Sequence, residues 1–172
     1  MTATKIRSEK PEDVQAIRHV HEQAFSGPVE AEIVERLRRA NRAPVSLVAE
    51  RGGRIVGHIL FSPVTVTPSK PGVNGAGLAP MAVLPEFQRQ GIGSSLIRAG
   101  LNECRKLGFD FVVVLGDPRY YPRFGFSRAK DCGLGNEYGV DEEFMVMELA
   151  QGALAGTGGM VQYGPEFKEA GC

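Results

Sequence analysis

Between Leu78 and Leu115 the chain carries the pattern that most limits its fold: an apolar strand, a glycine turn, a long amphipathic helix and a wholly apolar strand. Wound at about 100° per residue, Gly93, Leu96, Ile97, Gly100, Leu101, Cys104 and Leu107 fall within one arc, with Ser95, Arg98, Asn102, Arg105 and Lys106 opposite. That periodicity predicts a helix over 91–107, which Gly108 ends as a C′ glycine would. Phe111-Val112-Val113-Val114-Leu115 reads as a fully buried strand by its continuous apolar run. Leu78 to Val83 is a second buried-strand candidate, although Pro80 cannot donate to a sheet ladder.

The flanking segments supply more elements of both kinds. Lys5-Ile6-Arg7 is a plausible first strand, and Pro11 suits the first turn of a helix over 11–25. Val14, Ile17, Val20, Ala24 and Phe25 share one face of that helix; His21 falls inside the apolar face and His19 outside it. Gly27-Pro28 breaks it, and a second helix over 29–40 places Glu30 among Val34 and Leu37. Ser46 to Glu50 and Ile55 to Phe61, separated by Gly52-Gly53, read as a hairpin. Pro68 to Gly77 holds two prolines and three glycines and reads as a loop. Asp117-Pro118 reads as an N-cap with Pro at N1, opening a short helical turn from Arg119 to Phe124. Phe144 to Leu149 is a further strand, and Met160 to Tyr163 a last strand or an ordered tail. There is no internal repeat and no sign of a second domain; residues 1–150 form the expected domain and 151–172 a C-terminal extension.

With 20 basic and 20 acidic residues among 172, the chain has no net charge, which argues against general binding to nucleic acid or anionic membranes. Cys104, Cys132 and Cys172 show no Cys-x-x-Cys spacing, so neither a zinc site nor a disulfide framework is expected. No apolar run approaches the ~20 residues of a membrane span, and the N-terminus lacks the apolar core of a signal peptide. A cytoplasmic protein is the expectation.

Chemistry concentrates where the strand at 78–83 passes through Gln88-Arg89-Gln90-Gly91-Ile92-Gly93-Ser94 into the helix. The first amides of a helix lack intrahelical partners and carry the positive end of its dipole. Glycines there let a phosphate approach the backbone. This is an anion cradle, suited to a pyrophosphate. A P-loop would need Gly-x-x-x-x-Gly-Lys-Ser/Thr, which is absent, and a dinucleotide fingerprint would need glycine where Leu96 stands.

Gln88-x-x-Gly91-x-Gly93 after a strand and opening a long helix resembles the pyrophosphate loop of the GNAT acetyltransferases. Phe111 to Leu115 resembles the strand that follows that helix, and Tyr121-Pro122-Arg123-Phe124-Gly125-Phe126 the family's closing Tyr-x-x-x-Gly-Phe. The wording Val114-Leu115-Gly116-Asp117-Pro118 with Tyr120-Tyr121 is similar to a bacterial subgroup whose acceptors are mostly unassigned. The resemblance implies a single-domain α/β fold: a mixed central sheet, splayed between two parallel strands, with helices on both faces. It implies acetyl-CoA as co-substrate, its pantetheine along Met81, Ala82 and Val83, its pyrophosphate on the amides from Arg89 to Ser94, and the N–H of Val83 as an oxyanion donor. It further implies direct transfer of an acyl group, most simply acetyl, to a small-molecule or peptide amine. A non-catalytic acyl-CoA-binding or sensing module on the same fold is the alternative, and an enzyme using another nucleotide a third reading. A homodimer through the late strands is compatible with the sequence.

Tyr121 is the implied acid for the departing thiolate, because a phenol of pKa ~10 stays protonated at neutral pH; otherwise it belongs to an aromatic cluster with Tyr120, Phe124 and Phe126. Arg89 faces a phosphate or solvent. The strands at 78–83 and 111–115 lack the glutamate that serves many family members as base, which leaves His21, Glu30, His58 and Asp117 as alternatives. His21 and Glu30 are the acceptor-side candidates, against a satisfied core histidine and a first-turn carboxylate favoured by the helix dipole. Asp117 is equally the cap of its own turn. No cysteine sits in a reactive motif, so no acyl-enzyme is expected.

Overall fold

The computed structural model describes residues 3–68 and 72–172. In chain order the elements are β1 (Thr4–Ser8), α1 (Val14–Phe25), α2 (Val29–Arg39), β2 (Val45–Arg51), β3 (Arg54–Thr67), β4 (Gly75–Val83), α3 (Ile92–Lys106) and β5 (Phe111–Leu115). There follow β6 (Ser127–Arg128), β7 (Leu134–Asn136), β8 (Phe144–Glu148), β9 (Gly159–Gln162) and α4 (Pro165–Glu169). The chain divides into two compact units: residues up to Phe61 with 79–102 and 165–172, and residues 62–78 with 103–164. Strands β3 and β4 run through both.

In the first unit β1, β2, β3 and β4 lie side by side. Gly52 and Gly53 both take positive φ, 58° and 76°, and close the β2–β3 hairpin with Arg51 opposite Arg54. A two-residue turn needs such angles to match strand twist, and glycine reaches them at no steric cost. The sheet is covered on both faces. Towards α3, a Cβ on Gly57 would meet Leu96 and Ile92, and one on Gly100 would meet the Phe61 ring. Towards α1 and α2, His58 meets His21, and Arg38 reaches Glu9 just past β1. Ile17, Val20, Ile33, Leu37, Val48 and Leu96 are buried between these layers. Helix α4 docks on α2 and pairs its buried Glu166 with Arg42 at 3.1 Å.

In the second unit β4 and β5 pair in parallel, Gly75 to Gly77 against Phe111 to Val113, and β8 pairs antiparallel with β5 and β6. Parallel and antiparallel neighbours together make the expected mixed sheet. The β4–β5 register ends at Gly77, whereas β4 continues to Val83. Strand β9 pairs with β3 and β7, so the late strand is engaged within its own chain.

Several boundaries differ from expectation: β3 runs on from the expected end at Phe61 to Thr67, and β6, β7 and α4 are additional elements. Residues 75–77 belong to β4 rather than to a loop, because their glycines make room for aromatic rings: a Cβ at Gly75 would lie 2.2 Å from Phe111, and one at Gly77 2.3 Å from Tyr163. Residues 69–71 of the expected loop lie outside the described residues. Pro11–Asp13 forms a 3-10 turn ahead of α1. The turn after Asp117 becomes regular only at Tyr121–Phe124, also as a 3-10 helix. Among the described residues no helix is long and apolar enough to cross a membrane.

Candidate active site

The candidate residues fall into two groups, one in each unit. In the first unit, β4 ends at Val83 and a 3-10 turn over Pro85–Phe87 leads into the glycine loop. Gln88 is extended, Arg89 takes a left-handed φ of 64° and Gly91 one of 83°. Left-handed backbone at a non-glycine residue is costly and marks segments held for a purpose. The Gly91 carbonyl accepts the first helical bond, from Ser95 N–H at 3.1 Å, which leaves the Ile92 and Gly93 amides in the first turn of α3, where no i−4 carbonyl serves them. Among the described residues a Cβ at Gly91 would meet nothing within 4 Å, so the space above the loop is open. This backbone has the geometry that an anion cradle requires.

The loop is braced from below by contacts the sequence did not announce. Gln88 Nε2 donates to the Val83 carbonyl at 3.0 Å and ties loop to strand. Arg51 Nη1 donates to Gln90 Oε1 at 2.7 Å, and the Arg51 and Arg54 guanidiniums stand 5.7 and 5.5 Å from the Phe87 ring. The hairpin turn thus sets two cations against Phe87 and Gln90 of this loop. Met81 is half-buried; Ala82, Val83 and Ile92 are buried.

In the second unit Tyr121 is buried and held by aromatic edges, with Tyr120 at 5.2 Å and Phe126 at 5.7 Å between ring centroids. Its ring fills the space that any side chain at residue 116 would need. Burial, with a smaller contribution from Tyr120, pushes the phenol up to about 12. It is therefore fully protonated at neutral pH. Tyr120 is a packing residue, edge-on to Tyr121 and Phe124 with the Arg123 guanidinium 4.5 Å from its ring. Asp117 is not the N-cap of the 3-10 helix, which is Tyr120, but it holds the turn ahead of that helix: its Oδ1 accepts the Arg119 N–H at 2.8 Å, and that bond lowers its pKa.

The sequence matches the model of the acetyltransferase (GNAT) domain over residues 5–129. The Escherichia coli N-acetyltransferases YhbS and YjhQ are 35% identical over 94% of the chain and 38% identical over 83% of it, covering 97% and 81% of their own lengths. The chain belongs to the GNAT acetyltransferase family. The crystal structure of YhbS in complex with CoA superimposes with a TM-score of 0.91 at 34% identity, over 98% of this chain and 93% of that one. A GNAT acetyltransferase from Brucella melitensis in complex with acetyl-CoA gives 0.80 at 38% identity, over 96% and 98%.

In this acetyltransferase the base candidates separate. Glu30 is half-buried in the first turn of α2, where the helix dipole favours it. His21 and His58, both fully buried, meet with His21 Nε2 2.8 Å from His58 Nδ1. His58 Nε2 lies 2.7 Å from Ser46 Oγ, which in turn donates to Glu9 Oε1. Arg38 holds the Glu9 carboxylate from α2 through Nε at 2.9 Å and Nη2 at 3.3 Å. Burial acts to raise the Glu9 pKa, but His58, Arg38 and Ser46 outweigh it and bring it down to about 2. Burial also pushes His21 well below 6.5, aided by His58 and Arg38, and lowers His58 against the pull of Glu9. Ser46, Glu9 and Arg38 went unnoticed in the sequence; only the β1–β2–β3 register, which sets Glu9 beside Ser46 and Ser46 diagonal to His58, joins them. The buried Cys104 thiol is pushed up to about 12 by burial and offers no nucleophile.

Proposed function

We propose that the cradle formed by Gln88 to Ser94, with its two left-handed residues at 89 and 91, holds the pyrophosphate of acetyl-CoA, and that the acetyl group passes directly to an amine. The carrying observation is this loop, open above Gly91 and set at the start of α3, in a chain whose relatives were solved with CoA and acetyl-CoA. Pantetheine lies along Met81, Ala82 and Val83, the stretch of β4 beyond its register with β5. Gln88 braces the loop while its neighbours' amides take the phosphates, and Arg89 adds a charge-assisted contact. The Val83 N–H stabilises the tetrahedral oxyanion.

Tyr121 donates to the thiolate as the C–S bond breaks. A phenol raised to about 12 is a weak acid, but the same desolvation raises the basicity of the thiolate, so donation is concerted with cleavage. The acceptor is a small-molecule or peptide amine, and a cytoplasmic location, as a monomer or a homodimer, goes with this reading.

Screening a library of amines for CoA release, with acetyl-CoA and longer acyl donors, tests the function. Acetyl-dependent release with one amine class is expected. Tight acetyl-CoA binding without turnover against any amine would make the protein a binding module instead.

A further inference from the structure

The chain Glu9–Ser46–His58–His21 has a direction fixed by its end. The Glu9 carboxylate is ionised at neutral pH and can only accept. The single Ser46 proton therefore goes to Glu9, and Ser46 Oγ accepts from His58 Nε2–H. A neutral His58 then has a bare Nδ1, which accepts from His21 Nε2–H. His21, neutral too, is left with a lone pair on Nδ1 that is buried and has no hydrogen-bond partner among the described residues. Buried polar atoms are seldom left unmet without a reason.

We propose, resting on the acetyl-transfer reading, that His21 Nδ1 takes the proton of the acceptor ammonium, and that His58, Ser46 and Glu9 relay it outward. His58 belongs to β3, whose backbone adjoins the stretch proposed for the thioester: the Leu84 amide donates to the Val56 carbonyl at 2.8 Å. Phe25, itself exposed, stacks parallel to the His21 ring at 6.1 Å between ring centroids.

The protons balance. One ammonium N–H breaks as Nδ1–H forms on His21; His21 Nε2–H passes to His58 Nδ1, His58 Nε2–H to Ser46 Oγ, and Ser46 O–H to Glu9, which releases it to water. The freed nitrogen lone pair attacks the thioester carbonyl, the C–S bond breaks, and sulfur takes the Tyr121 proton. The nitrogen's second proton restores Tyr121. Once the product has left, His21 Nδ1–H passes to water in the emptied site while Glu9 takes a proton from solvent, which returns both imidazoles to their starting tautomers. Each turnover thus releases one proton net. A concerted shift leaves no imidazolium in the core, which burial would penalise. The charged groups around the chain are Glu9, Arg38 on α2, and Asp13, itself paired with Arg7, which also holds Glu50.

His21→Gln tests the relay, because the amide keeps an N–H for His58 and loses the basic nitrogen. Turnover with propylamine, an ammonium at neutral pH, and with methoxyamine, already neutral there, is followed from pH 6 to 10 beside acetyl-CoA affinity and melting temperature. With propylamine a loss of roughly 10²-fold at pH 7 is expected, shrinking towards the alkylammonium pKa of ~10.4; with methoxyamine little loss is expected, and affinity and melting stay put. Equal losses for both amines, or none, would overturn the role. Independently of any acceptor, ¹⁵N spectra of histidine-labelled parent protein should show both Nδ1 atoms bare and both Nε2 atoms protonated. A parent that fails to bind acetyl-CoA sinks the acetyl-transfer reading; one that binds it while His21 Nδ1 carries a proton sinks the relay alone.

Discussion

The Tyr121 ring occupies the place of a side chain at residue 116: a Cβ built on Gly116 would lie 2.2 Å from Tyr121 Cε2 and 3.2 Å from Cζ. The proposed acid is thus positioned by a glycine five residues earlier, at the end of β5.

Gly116→Ala should therefore displace Tyr121. We expect ~1–3 kcal/mol of destabilisation, the usual cost of overpacking, with a fall in turnover larger than any change in acetyl-CoA affinity. Urea melts beside turnover and calorimetric titration check this; unchanged turnover would mean that the position of Tyr121 is immaterial to the chemistry.

Tyr121→Phe should keep the fold and acetyl-CoA affinity while turnover drops roughly 10²-fold or more, as loss of a general acid would. Its ring contacts with Tyr120, Phe124 and Phe126 survive. Tyr120→Phe is the internal control and should matter much less. A fully active Tyr121→Phe enzyme would reduce Tyr121 to packing.

At Gly91 two effects can be pulled apart, because its φ of 83° strains a side chain while the space above it is open. Gly91→Val should cost the fold ~1–2 kcal/mol for left-handed backbone, and Gly91→Asn, which tolerates that region, less. Both should weaken acetyl-CoA binding by filling the cradle. Calorimetric titration decides: full affinity in Gly91→Asn would show that the glycine serves only the turn.

Stability should fall in acid in two stages. The histidine pKa values are depressed in the folded protein, so the unfolded chain binds more protons below pH 6.5 and stability declines as pH drops through that window. The limit is ~1.4 kcal/mol per pH unit for each proton. Glu9, lowered to about 2 from 4.5, adds a second loss as pH falls from about 4.5 towards 2. His58→Gln should flatten the first stage and also shrink the second, because His58 is one of the groups that hold the Glu9 pKa down. Melting temperatures from pH 7.5 to 3 test it; an unchanged slope between pH 6.5 and 5 in His58→Gln would show that the pair does not titrate on unfolding.

The amino-acid sequence alone determined whatever is written in local period or dihedral demand. Helix α3 followed from its apolar arc, β5 from five consecutive apolar residues, the β2–β3 turn from Gly52-Gly53, and the cradle from glycines placed where a strand gives way to a helix. Contacts between distant residues were decided only by the tertiary structure. Gly75 and Gly77 read as loop until Phe111 and Tyr163 lie against them. His21 and His58 read as two separate candidates, and neither Ser46 nor Glu9 read as a site residue, until strand pairing set all four in line. Register is a property of the paired strands, and shifting it by one residue would turn His58 to the other face of the sheet. A helix period or a glycine turn needs only its own neighbours, whereas a buried relay needs the whole sheet.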